Sequence, residues 1–183
     1  MREILGQIRE EPFLVNLMPH LIKFVESKSQ EMIQAEEPVA GDVPIFNLII
    51  QVLQSIYSNR YFDSDSQLKV VIPILMNITL CTRFNRLSSL RSITLMKDFN
   101  ALLLAQLIEK FHQKYELKVG YAEFLVKQMI DGEADEHCIY GCLACLARFG
   151  PYINRKLLLP KVPTIKAILK NRLSGNQQQE LEP

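Results

Sequence analysis

From Leu95 the apolar residues Phe99, Leu102, Leu103, Leu107 and Phe111 follow at offsets of 4, 7, 8, 12 and 16. That spacing places them in one stripe along an α-helix. A strand, whose side chains alternate with period two, would scatter them over both faces. Ala101, Leu104, Ala105 and Ile108 widen the stripe until the helix is apolar around most of its girth. Such a helix has to be covered on two sides, which predicts a central helix in a helical protein.

Four further stripes have the same period. They run through Ile45, Leu48, Ile49, Val52, Leu53 and Ile56; through Leu68, Val71, Ile72, Leu75, Ile78 and Thr79; through Tyr121, Ala122, Leu125, Val126 and Met129; and through Ile139, Cys142, Leu143 and Leu146. No segment alternates as a strand does. The breaks are as legible. Glu36 to Pro44 reads as a surface loop, with Pro44 in the first turn of the next helix. Asn59 to Ser66 reads as a turn ending in good N-cap residues, and Asp135 caps the helix after Asp131 to Asp135. Gly150-Pro151 ends a helix, glycine supplying the left-handed residue and proline blocking continuation. The polar stretch 174–183 reads as a disordered tail, leaving residues 1–173 as the folded domain. Eight or nine helices in antiparallel pairs fit either a closed bundle or a solenoid.

An internal similarity bears on that choice. Leu17-Met18-Pro19-His20-Leu21-Ile22, Val71-Ile72-Pro73-Ile74-Leu75-Met76 and Leu158-Leu159-Pro160-Lys161-Val162-Pro163 each set a proline behind two apolar residues. Their prolines lie 54 and 87 residues apart. The longer interval divides into two units of about 43, inside the span of HEAT-type repeats. Leu117-Lys118-Val119-Gly120-Tyr121 falls near the missing step.

Composition closes off several functions. Seven glycines are few for a sandwich or barrel, and no phosphate-cradling G-x-x-x-x-G-K-[ST] or G-x-G-x-x-G occurs. Neither G-x-S-x-G nor H-E-x-x-H is present. Uninterrupted apolar runs stop at six residues, as in Cys142 to Ala147, too short for a bilayer-spanning helix, so no membrane role is expected. The first residues show no signal-peptide apolar stretch, and four cysteines without one predict free thiols in a reducing compartment.

The strongest enzymatic lure is Cys138-x3-Cys142-x2-Cys145, the spacing of radical-SAM iron–sulfur sites. Those sites lie on flexible loops. Here the three thiols sit in a helical stretch, strung along one stripe over about 10 Å, beyond the reach of a single cluster. Gly141, Ala144 and Ala147 point instead to close helix packing, with Gly141 where a neighbouring helix approaches. A zinc site at His137 lacks partners, since His20 and His112 are distant in sequence and Cys81 is isolated. The acids Asp131, Glu133, Asp135 and Glu136 read as a solvated turn. No catalytic, cofactor-binding or metal-binding residue is expected, and the chain is not expected to be an enzyme.

Charge carries more information. The net charge is +1, so the whole domain has no footprint for nucleic acid. Yet His137 to Gln179 holds no acid and seven bases: Arg148, Arg155, Lys156, Lys161, Lys166, Lys170 and Arg172. These form the candidate partner surface, for an acidic peptide ahead of DNA. Ser66 to Lys97 is a second acid-free stretch, with five bases.

Several blocks resemble, in order, the C-terminal HEAT domain of the sixth TBP-associated factor family. They are Leu17 to Val25, Gln51 to Asn59, Leu68 to Met76, Met96 to Ile108 with its Lys97-Asp98-Phe99 start, and Ile139 to Pro151. The likeness spans roughly residues 11 to 165. Cys145 stands where the family pattern has glycine, and Asn100 where it has alanine. The resemblance implies an all-α solenoid of four to five antiparallel HEAT pairs. It also implies a nuclear, non-catalytic scaffold within the general transcription factor TFIID and, in some lineages, SAGA. Its partners would be other TBP-associated factors, with self-association left open. The family also carries a histone fold not seen in this chain, so the resemblance implies an excised domain or a reduced homologue. The alternatives are an unrelated HEAT-type adaptor and a cysteine-cluster metalloenzyme.

Overall fold

Most breaks in the apolar periodicity become helix boundaries. The computed structural model describes residues 2–35, 42–63, 65–82, 84, 88–115, 117–131 and 134–179, with backbone alone for 112–115 and 172–179. The helices are α1 (Arg2–Glu10), α2 (Met18–Gln34), α3 (Asp42–Ser58), α4 (Leu68–Leu80), α5 (Leu90–Tyr115), α6 (Leu117–Ile130) and α7 (Glu136–Arg148). They are followed by a short α8 (Pro151–Ile153) and by α9 (Val162–Gln179). Three-ten turns precede α2 and α4, and a π turn at Asn154–Leu158 with a 3-10 turn at Leu159–Lys161 joins α8 to α9. No strand occurs among the described residues.

Alternate helices pack on one another: α1 on α3, α3 on α5 and α5 on α7 form one row, and α2 on α4 begins the other. Sequential pairs α2/α3, α4/α5 and α6/α7 close each repeat, and α9 lies against α6. This stepwise contact between neighbouring pairs is that of a solenoid and not of a closed bundle. The expected all-α solenoid is therefore present, with α1 leading the pairs α2/α3, α4/α5 and α6/α7 among the described residues. Its core is continuous from Met18 in α2 to Ile165 in α9. Asn59, buried just after α3, ties the first row together. Its Nδ2 donates to the Ile8 and Glu11 carbonyls at 2.8 and 3.3 Å, satisfying the C-terminal end of α1.

Several boundaries differ from the sequence reading. Helix α3 starts at Asp42, inside the segment read as loop, because Asp42 and Val43 are buried; residues 36–41 lie outside the described residues. The cap of α4 is Gln67, which makes no side-chain cap bond. Asp63 Oδ1 instead accepts from the Asp65 amide at 3.3 Å, which starts the preceding 3-10 turn. Asp135 caps α7 as expected, accepting from the Cys138 amide at 2.7 Å. Gly150 has φ of +97°, and Pro151 then opens α8, so this pair both ends one helix and starts the next. Helix α9 runs to Gln179, past the Ser174 boundary of the expected tail.

The repeat spacing also shifts. Helices α2, α4 and α6 begin at Met18, Leu68 and Leu117, spaced by 50 and 49 residues. The proline frame gave about 43. The prolines are not equivalent: Pro19 lies in a first turn, Pro73 inside α4 and Pro160 in the 3-10 turn before α9.

Candidate functional site

Helix α5 is central, packed by α3, α4, α6 and α7. The stripe used to recognise it is nonetheless split. Leu103, Leu107 and Phe111 are buried, whereas Leu95, Phe99 and Leu102 are 48%, 56% and 39% exposed. A helix apolar all round fixes its own period without fixing which side faces out. The inward positions include two polar residues, Lys97 and Asn100, at 1% and 0% exposure.

Lys97 reaches the C-terminal end of α4. Its Nζ donates to the Thr79 carbonyl at 2.8 Å and to the Cys81 carbonyl at 2.9 Å. The last carbonyls of a helix have no partner within it, so a buried ammonium supplies the missing donor and a favourable charge at the negative helix end. The Phe84 ring, 5.3 Å from Nζ, lies over the ammonium and meets His137 edge-on at 5.4 Å. One turn on, Asn100 Nδ2 donates to Leu75 O and to Thr79 Oγ1, both at 2.8 Å. Thr79 Oγ1 also donates to Leu75 O at 2.9 Å and sits 3.7 Å from Cys145 Sγ. Asn100, where the family pattern has alanine, thus stitches α5 to α4.

Helix α7 closes the cluster. Gly141 lies so near α4 that a Cβ there would stand 2.4 Å from the Thr79 carbonyl oxygen and 3.3 Å from Lys97 Nζ. The close approach expected at Gly141 is therefore present. Cys138, Cys142 and Cys145 run along the buried face of α7, and all four cysteines are buried and outside any disulfide. Among the described residues no group of three or more His, Cys, Asp or Glu side chains is arranged to hold a metal ion.

The cluster's electrostatics follow from burial. Desolvation lowers the Lys97 pKa from its usual 10.5. The Cys142 thiol, hydrogen-bonded to Cys138 and buried, is pushed far above the usual 9.0. Burial pushes Cys145 up to about 11. Thiols held protonated are poor nucleophiles and poor ligands.

A pH dependence follows. Above pH 9.0 the unfolded chain releases thiol protons that the fold retains at Cys142 and Cys145, so stability falls as pH rises through that window. Lys97 acts in the opposite sense, because below 10.5 the unfolded chain binds a proton more readily than the fold. Replacing both Cys142 and Cys145 by Ala is expected to flatten the alkaline loss. Urea midpoints compared between about pH 8 and pH 10 check this; parallel curves for parent and variant would contradict it.

The basic strip is placed less uniformly than its sequence suggests. Arg148 Nη1 donates back to the Ala144 carbonyl at 2.8 Å, and Nη2 lies 4.0 Å from Asp98 Oδ1. Asp98 also accepts from Tyr140 Oη at 3.1 Å. Lys156 and Lys161 line a groove whose other wall carries Glu123 and Lys127 of α6 and Asp131 just after it, so acids absent in sequence are near in space. Arg155, Lys166 and Lys170 are exposed, the last two one turn apart on α9. The Arg172 side chain lies outside the described residues, as do Glu133 and the side chain of His112. The structure thus brings Lys156 and Lys161 together and sets Arg148 apart.

Antiparallel helix pairs stacked in two rows define an α-solenoid of the HEAT type. The pattern of the family described as the TAF6 C-terminal HEAT repeat domain matches residues 1–163. The chain belongs to that family. The solved structure of the TAF6 C-terminal domain from Antonospora locustae is similar, with a TM-score of 0.71 at 13% identity. The match covers 93% of this chain and 85% of that one. At that identity the likeness shows the fold alone. None of the curated proteins matches the chain.

Proposed function

We propose that the chain is a non-catalytic interaction scaffold within the nuclear transcription factor TFIID, acting in RNA polymerase II initiation by holding other TBP-associated factors. Its membership of the TAF6 C-terminal HEAT repeat family over residues 1–163 carries the reading. The fold supports it: a solenoid offers long surfaces to partners, and the buried cysteines are spent on packing. An unrelated HEAT adaptor would share the architecture without the family pattern.

The exposed bases of α9 and the preceding turn then dock an acidic segment of another subunit in preference to DNA, since the chain's net charge is only +1. Reversing Lys166 and Lys170 to Glu is expected to leave folding within about 0.5 kcal/mol, both residues being exposed. The same change should weaken co-purification with TBP-associated factors, and the deficit should vary with salt across the range where a Debye length of about 8 Å applies. Equal recovery of parent and double variant at low salt would show that the strip is only a solvated face.

A further inference from the structure

Cys81 is remote from the other cysteines in sequence, and the fold brings it back to them. Thr79 fixes the relation of α4 to α7. Its side-chain oxygen, which leans toward the start of α4, lies 3.7 Å from Cys145 Sγ. Its carbonyl, which points toward the end of α4, is the group that a Cβ on Gly141 would meet at 2.4 Å. The two helices therefore run antiparallel, and the chain leaving α4 moves down the numbering of α7. Cys81, the C-cap of α4 two residues beyond Thr79, falls at the level of Cys138, one turn before Gly141 on the same buried face. Lys97 marks the same spot. Its Nζ is 2.9 Å from the Cys81 carbonyl and 3.3 Å from that Gly141 Cβ position. The groups whose charge it feels are Cys81, Cys138, Asp135 and Cys142.

These two thiols are also the reachable ones. Cys81 and Cys138 are 8% and 4% exposed, whereas Cys142 and Cys145 are both at 0%. Cys81 lines a surface groove of about 440 Å³ with Ile33, Gln34, Asn77, Leu80 and Thr82, which leaves room for a small polar oxidant. An ammonium beside a thiol favours its thiolate, the form that oxidants attack. Pairs within α7 are poorly placed for bridging. Residues one turn apart on a helix keep their Cβ atoms about 5–6 Å apart, and a disulfide needs about 3.5–4.5 Å.

We infer that Cys81 and Cys138 are a redox-responsive pair, which hydrogen peroxide converts to a disulfide fastening the end of α4 to the start of α7. The Cys81 thiolate attacks one peroxide oxygen. The S–O bond forms, the O–O bond breaks, and the departing hydroxide takes up the proton the thiol released, giving water. The Cys138 sulfur then attacks the sulfur of the Cys81 sulfenic acid. The S–S bond forms, the S–O bond breaks, and the second hydroxide leaves as water with the Cys138 proton. Two thiols are oxidised and one peroxide is reduced to two waters. A small thiol such as glutathione reverses the bridge by exchange. The bridge adds a covalent tie to the joint that Lys97 makes by hydrogen bonds, and it closes a loop containing all of α5 and α6. The solenoid is therefore stiffened under oxidation, whatever partners it holds.

The test uses the full chain, fully reduced and then exposed to hydrogen peroxide at neutral pH. Remaining thiols are capped with N-ethylmaleimide in denaturant. A non-reducing chymotryptic digest, which cuts at Tyr140 between Cys138 and Cys142, is mapped by mass spectrometry. The expected product is a monomer with Cys142 and Cys145 capped and one peptide pair joined through Cys81 and Cys138. Its Tm should exceed that of the reduced chain by about 5–10 °C, a difference that dithiothreitol removes. Cys81→Ala and Cys138→Ala should each abolish the bridge, whereas Cys145→Ala should leave it in place. Mapping on the parent chain needs no variant, so it decides the matter even where a variant fails to fold. Four capped thiols after oxidation, a bridge to Cys142 or Cys145, a bridge between two chains, or an oxidised chain that melts no higher than the reduced one would each overturn the inference.

Discussion

Replacing Lys97 by Met is expected to lower the stability of the domain by about 2–4 kcal/mol. The thioether fills much of the volume but donates nothing. The Thr79 and Cys81 carbonyls, which accept from Nζ at 2.8 and 2.9 Å, would be left buried at the end of α4. Each orphaned carbonyl costs about 1–3 kcal/mol, and part of that is offset because no ammonium has to be desolvated. A urea or thermal melt of parent and variant measures the difference. A variant as stable as the parent would mean that the ammonium is not what satisfies the end of α4.

Gly141→Ala is the second large effect, and its sign is unusual. In a helix interior alanine is normally better than glycine by about 1 kcal/mol. Here the new Cβ would stand 2.4 Å from the Thr79 carbonyl oxygen, a backbone atom that cannot rotate away, and 3.3 Å from Lys97 Nζ. Helix α7 must back off from α4, loosening Cys145 from Thr79 and the lysine from its carbonyls. A net loss of about 1–3 kcal/mol is expected, and more for Gly141→Leu. Gly120→Ala is the control: with nothing within 4 Å of the new methyl it should gain up to about 1 kcal/mol in the isolated chain. Two glycine-to-alanine changes in neighbouring helices should therefore move Tm in opposite directions. Shifts of the same sign would contradict the packing described.

What was legible in the sequence was what local rules decide. Asp135 as a cap, Gly150-Pro151 as a boundary and Gly141 as a close approach each follow from one residue type in one backbone setting. The all-helical class followed from period alone. Lys97 and Asn100 were not legible as buried residues, because the partners that make them tolerable, the carbonyls at the end of α4, come from another helix. Their one signal was position: each interrupts an otherwise apolar helix on its inward side. The exposure of Leu95, Phe99 and Leu102 was hidden for the converse reason, since a helix apolar on every side has no polar face to mark its outside. The spatial neighbours of the basic strip were hidden for the same kind of reason. Glu123 and Asp131, distant along the chain from Lys156 and Lys161, share their groove.

The cluster at Thr79, Lys97 and Gly141 gives the solenoid a fixed joint among α4, α5 and α7, and that rigidity is what a scaffold has to offer its partners. Whether it serves TFIID is tested most directly by size. Nuclear extract from cells expressing the tagged full chain is sedimented on a gradient at low salt, and fractions are probed for the chain and for TBP. The scaffold reading predicts co-sedimentation of the chain with TBP in a particle far larger than its own 21.1 kDa. Sedimentation of the chain as a free protein of about that mass, or in a large particle from which TBP is absent, would contradict it.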